Sequence, residues 1–203
     1  MHVGRFAVRL KYSLVSGALM AVCAGPSTAR AQDDHMAKSG QHHAQTLEQK
    51  KQASALVRKV REVTERFRDA REALGEHYEL TFGCVSGGDL GAMGIHLVNF
   101  PLVFDKVIDV DQPDVLIYEP TPGGGLRLTG ADYLVLAADW DKDHSPLDTP
   151  QLMGQLFHLF DAPNRFGLPA FYTLHVWAWK DNPNGTFANW NPDVSCDTYN
   201  PQS

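Results

Sequence analysis

At Gly75 the hydrophobic period of this chain changes from that of a helix to that of strands and does not change back, which limits the fold more than any other feature. Upstream, Leu56, Val60, Val63, Phe67, Ala70 and Leu74 recur at alternating steps of four and three, an apolar stripe along one side of a helix. Thr46 and Gln49 supply the capping-box pattern at its start, and the pairs Glu62–Arg66 and Arg68–Glu72 lie along its exposed sides. The spacing predicts a helix over 46–75. About 28 residues at ~1.5 Å each make a rod near 42 Å. Such a rod has two uses: strapping across a sheet, the default, or pairing with the same helix of a second copy into a homodimer.

Downstream, short apolar runs alternate with Gly, Pro and Asp clusters. Strands are predicted at Leu80–Val85, Gly94–Asn99, Val115–Glu119, Leu126–Leu136, Gln155–Phe160 and Ala170–Trp179. The run Pro120-Thr121-Pro122-Gly123-Gly124-Gly125 joins two of them into a hairpin. No helical pattern separates the strands, which favours a mainly antiparallel sheet or small barrel over a parallel α/β fold. The fold class is α+β: a long N-terminal helix packed on a mainly antiparallel sheet or small barrel, with residues 46–203 as one domain and the sheet spanning 80–196.

The N-terminus predicts export. Arg5, Arg9 and Lys11 precede the apolar stretch Leu14–Gly25, which is too short for a membrane span, and Ala29-Arg30-Ala31 is the small-x-small pattern of a cleavage site. Residues 1–31 read as a signal peptide, leaving a soluble periplasmic or secreted chain that starts at Gln32. The mature part keeps 14 of the 18 Lys and Arg against 24 Asp and Glu, a net charge of −10. That acidity argues against nucleic acid as a partner. Nothing later in the mature chain approaches a transmembrane length. Residues 32–45 are a polar arm holding His35, His42 and His43, which reads as a solvated linker with Cu(II) or Ni(II) capture as the sharper alternative.

Export also bears on cysteine. Cys23 leaves with the signal peptide, and Cys84 and Cys196 remain as an even pair in an oxidising compartment, which predicts a disulfide. Closing a loop of about a hundred residues is worth on the order of 4 to 5 kcal/mol in the loop-entropy account.

Chemistry must come from the strands. Alternation puts Val115, Ile117 and Glu119 on one face, and pairing across the loop puts Leu126 and Leu128 on that same face, so Glu119 would need a partner, a metal or a raised pKa. Phe171, Thr173, His175, Trp177 and Trp179 share a face of the last strand, and His96 follows the glycine-rich approach Ser86–Gly94. His158 is a further imidazole among apolar neighbours. Two histidines and a carboxylate are the ligand types of open zinc and non-haem iron sites. His96, Glu119 and His175 are therefore the candidate set for a small ligand or a divalent transition metal, with Tyr133, Trp177 and Trp179 as its lining. HExxH, GxSxG and phosphate-loop spacings are absent.

The segments Met93-Gly94-Ile95-His96, Tyr118-Glu119-Pro120, Ala131-Asp132-Tyr133, His175-Val176-Trp177-Ala178-Trp179, Asn182-Pro183-Asn184-Gly185 and Trp190-Asn191-Pro192 together resemble a family of uncharacterised exported bacterial proteins. The resemblance spans Leu80–Cys196. It implies a coherent domain and points to His96, Glu119 and His175, but it implies no substrate and leaves open whether the chain is an enzyme. The expected function is a small-ligand or metal site in an aromatic-lined pocket. The competing expectation is a non-catalytic structural or interaction protein with a disulfide-stapled core and a helix used for assembly.

Overall fold

The computed structural model of the chain describes residues 45–145 and 148–200. The signal-peptide reading of 1–31 and the histidines of the arm lie outside the described residues.

Thr46 starts the first helix, α1 (Leu47–Thr64). Its hydroxyl accepts from the Gln49 amide and the Gln49 side chain accepts from the Thr46 amide, so two end-of-helix donors are satisfied at once. Leu56 and Val60 are fully buried against the sheet, each worth roughly 1.5 to 3 kcal/mol of apolar burial. Of the two uses of the stripe, the chain makes the first. The helical stretch is not one rod, however. Thr64 Oγ1 donates back to the Val60 carbonyl at 2.6 Å, a bond that bends helices, and the same oxygen accepts from Trp179 Nε1. A 3₁₀ turn over Glu65–Arg68 carries Phe67 into the core, and Asp69 caps a second helix, α2 (Ala70–Gly75). Periodicity alone could not show this break, since the stripe runs through it unchanged. No described helix is long and apolar enough to cross a membrane.

The strands are β1 (Glu79–Ser86), β2 (Ala92–Val98), β3 (Val115–Pro120), β4 (Leu126–Leu136), β5 (Gln151–Leu152), β6 (Gln155–Leu156), β7 (His158–Phe160) and β8 (Phe171–Val176). Six of them form one antiparallel sheet in the order β1-β2-β3-β4-β8-β7, curled into a half-barrel, and β5 and β6 make a separate hairpin. The predicted strand Gln155–Phe160 is thus two short strands in two sheets. Single turns of helix follow β2 and β4: α3 (Phe100–Val103) and α4 (Ala137–Trp140).

Both faces of the central strands are buried. Ile95, Leu97, Leu116, Tyr118, Ala131 and Tyr133 face the helices, while Val98, Val115, Ile117, Leu134 and Phe171 form a second cluster with Val103 on the other side. The β3–β4 hairpin decides which residue of β4 goes where. Thr121 and Gly125 close the turn, which pairs Pro120 with Leu126, Glu119 with Arg127 and Tyr118 with Leu128. This register differs by one residue from the sequence expectation, so Leu126 and Leu128 lie on the helix side with Tyr118 and not beside Glu119. Thr129 is then an extra residue, a bulge, beyond which Ile117 pairs with Gly130 and Val115 with Asp132. The bulge exchanges the faces of everything after it.

Cys84 of β1 and Cys196 of the tail are joined in a disulfide across 112 residues of sequence. The tail docks just before it: the Ala92 and Asn191 amides and carbonyls bond each other at 3.1 and 3.2 Å. Gly91 must be glycine there, because its φ is +85° and a Cβ would sit 2.0 Å from the Asn191 carbonyl oxygen.

Candidate ligand-binding cavity

On the sheet face away from the helices lies a cavity of about 230 Å³. Most of its wall is hydrocarbon: Val98 and Val115, Leu134 and Leu136, and the rings of Phe82, Phe160 and Phe171. Segment 161–169 brings Phe166, Leu168 and Pro169 over it, and α3 with the following residue brings Phe100 and Phe104. Phe166 packs edge-on to Phe82 and Phe171 at 5.2 and 6.0 Å between ring centres. Phe104 is 58% exposed and stacks on Phe100, so these two rings form a rim.

Five polar side chains interrupt this wall: His96 from β2, Asp132 from β4, Thr173 and His175 from β8, and Asn189 from the tail. Asp132 and His175 are direct cross-strand partners, and Thr173 shares the His175 face two residues away. Because the Thr129 bulge turns Asp132 to this side, the carboxylate meets His175: Nδ1 lies 3.2 Å from Oδ1. The contact is close but off the line of a well-formed hydrogen bond, and three buried atoms are left with no hydrogen-bond partner: Asp132 Oδ1, Thr173 Oγ1 and His175 Nε2. Trp177 is not part of the wall; it stacks on the His175 ring at 4.4 Å and anchors itself by donating from Nε1 to the Ala188 carbonyl.

Burial sets the protonation of the group. It pushes the Asp132 carboxyl up to about 8, with a smaller push from the neighbouring Asp114. It holds the His175 imidazole well below its ordinary range, helped by the positive charge that His96 and His158 would carry. His96 is brought down to about 4 by burial and, to a lesser degree, by Arg165, against the hydrogen bond its Nδ1 makes to the Gly94 carbonyl at 3.1 Å. All three directions agree: the cavity disfavours net charge, so near neutral pH it holds neutral imidazoles and a carboxyl with its proton. A neutral imidazole backed by a carboxyl can donate or accept a proton at its free nitrogen, or polarise an acceptor placed there.

Of the residues expected from sequence, the structure brings His96 and His175 to one cavity and leaves Glu119 out. Glu119 is buried at the end of β3, where Arg127 Nε and Lys180 Nζ hold its two oxygens at 3.0 and 2.8 Å. The partner it needed is a pair of cations. Tyr133, expected in the lining, lies on the helix side, where its hydroxyl donates to the Val110 carbonyl at 2.9 Å. The bulge that turns Asp132 toward the cavity turns Tyr133 away from it. Trp179 also leaves the cavity face, because β8 ends at Val176. Its indole reaches Thr64, between the guanidinium groups of Arg61 and Arg68 at 6.0 and 5.3 Å. His158 pairs with Thr173 across β7 and β8, and burial lowers its pKa.

Asp132 is the residue that sequence reasoning passed over. Its signal was available, a single carboxylate in the otherwise uncharged stretch Leu128–Leu136, and from the observed turn register it reaches the cavity side only through the bulge at Thr129. Among the described residues no group of three or more His, Cys, Asp or Glu side chains is disposed to hold a metal ion. Comparison of the chain with protein-family models, with curated proteins and with solved structures finds no match in any of the three.

Proposed function

We propose that the domain is an exported binding protein whose ligand is a small organic molecule, mostly apolar, with one polar head. The observation that carries this is the convergence of three unpartnered buried polar atoms, Asp132 Oδ1, Thr173 Oγ1 and His175 Nε2, on a cavity whose remaining wall is mostly hydrocarbon. An unsatisfied buried polar atom costs about 1 to 3 kcal/mol. A purely structural sheet would have no reason to keep three side by side, whereas a ligand head would satisfy Thr173 Oγ1 and His175 Nε2 with Asp132 behind the imidazole. The size fits a small guest, since a cavity of ~150 Å³ lined by similar side chains takes up benzene. The disulfide Cys84–Cys196 supports an oxidising compartment.

The test is to purify the chain from its own host, extract it with solvent and identify released compounds by mass spectrometry. Leu134→Trp, which fills the cavity, serves as the control. We expect one organic compound in near-stoichiometric amount from the wild type and none from the variant. Absence of any compound, together with no saturable rise in melting temperature when toluene or acetophenone is added, would overturn the reading. Amino-terminal sequencing of the same preparation tests export, with Gln32 expected as the first residue.

A further inference from the structure

We infer that the head group this cavity recognises is a neutral hydrogen-bond acceptor, a ketone, aldehyde or ester carbonyl, held by two donors, His175 Nε2–H and the Thr173 hydroxyl. The inference rests on the binding role proposed above and specifies its ligand class. The argument starts from charge. Among the described residues no lysine or arginine pairs with Asp132; its carboxylate meets His175 Nδ1, 3.2 Å away. A carboxyl so placed in an apolar wall keeps a proton, because leaving it ionised and unpaired in hydrocarbon is far costlier. We place that proton toward His175 Nδ1, 3.2 Å from the carboxyl, which makes Nδ1 the unprotonated nitrogen of a neutral ring and puts the ring's own hydrogen on Nε2. The upward shift of Asp132 and the downward shift of His175 agree with this assignment.

Nε2, buried and unpartnered, is therefore a donor. Thr173 Oγ1, also buried and unpartnered, stands two residues along the same strand face, a step of about 6.6 Å. One acceptor atom lying between them can take a hydrogen bond from each, and an oxygen with two lone pairs is built for two donors. A carboxylate would satisfy the donors but bring a net charge into a wall that holds even its own carboxyl neutral. A hydrocarbon would leave both donors empty. A carbonyl on a small apolar body meets every condition.

Acetophenone, α-methylstyrene and benzoate separate these cases. The first two have the same shape and differ in a carbonyl oxygen replaced by a methylene group; the third carries a charged head. Calorimetric titration of the wild-type chain should show acetophenone binding at least tenfold more tightly than either of the others, the effect of one or more neutral hydrogen bonds. Thr173→Val should weaken acetophenone about tenfold and leave α-methylstyrene unchanged. With ¹³C-labelled carbonyl, the bound ketone should show its stretching band moved to lower frequency, and by less in the variant. Equal binding of acetophenone and α-methylstyrene would overturn the carbonyl assignment while leaving the apolar cavity role standing. Tighter binding of benzoate would overturn it in favour of an anion site. Failure of both acetophenone and α-methylstyrene to bind would overturn the binding role itself.

Discussion

If Thr173 Oγ1 is as idle in the empty protein as its surroundings indicate, removing it should make the protein more stable. Thr173→Val keeps the branched shape that fits a strand, keeps the side-chain volume nearly constant and deletes only the hydroxyl. Thr173 is 5% exposed and its oxygen has no partner. Folding therefore strips the hydroxyl of water without replacing it, at about 1 to 3 kcal/mol. Incomplete dehydration beside a cavity favours the lower half of that range, so the substitution should stabilise the ligand-free chain by about 1 to 2 kcal/mol. For a domain of this size that is roughly 2 to 8 °C in melting temperature. Urea titrations of both proteins, with equal slopes, would read the difference directly. The refuting result is a loss of stability. A loss would mean that the hydroxyl is bonded in the folded chain and that the cavity does not present it to a guest. Gain of stability combined with weaker ketone binding is the paired outcome expected of a group kept for binding and not for folding.

The acidity of the cavity makes an equally direct prediction. Asp132 and Asp114, with folded pKa values raised to about 8 and about 7, contribute stability that is present below their ordinary value of 3.8 and lost as pH rises through the folded values. His96, lowered to about 4 from 6.5, contributes stability present above 6.5 and lost as pH falls toward 4, and His175 moves in the same direction. The two trends oppose each other between about pH 4 and 6.5, and above that only the carboxyls act. Stability measured by urea should be nearly flat over the first interval and fall by about 2 kcal/mol from pH 6.5 to 8, with Asp132→Asn removing much of the fall. Gly130→Ala addresses the packing beside the dyad. A Cβ there would lie 2.1 Å from the Val176 carbonyl oxygen, so β4 and β8 must part where Asp132 meets His175. A loss of about 3 kcal/mol is expected, and a variant as stable as the wild type would show that the two strands yield to a methyl group at no cost.

How far the sequence discloses this molecule depends on the kind of information each element needs. The disulfide and the helix stripe are legible because they rest on composition and period: Cys84 and Cys196 are the available pair, and Leu56, Val60 and Phe67 are buried as a 3.6-residue repeat requires. His96 and His175 stand out as polar residues in apolar strands. What stays hidden depends on pairing. Helix α1 ends at Thr64 because of a bond from Trp179, 115 residues away. Glu119 is neutralised by Lys180, which no local pattern connects to it. Leu126 and Leu128 change faces because the hairpin turn shifts the register by one, and Asp132 and Tyr133 keep theirs only because the bulge at Thr129 shifts it a second time.

That second shift has a consequence for how the chain encodes its chemistry. Strand β4 is apolar enough on both sides that hydrophobic patterning accepts either parity: Tyr133 and Val135 could form a wall as well as Leu134 and Leu136 do. The choice between the two readings rests on one uncounted residue, Thr129, whose hydroxyl ties back to the Ile117 carbonyl at 3.0 Å and which is no part of the cavity wall. Deleting that single residue would leave composition, charge and core volume almost unchanged, yet would present a tyrosine to the guest where an aspartic acid now stands. What the cavity recognises is thus written in the length of β4 as much as in its letters.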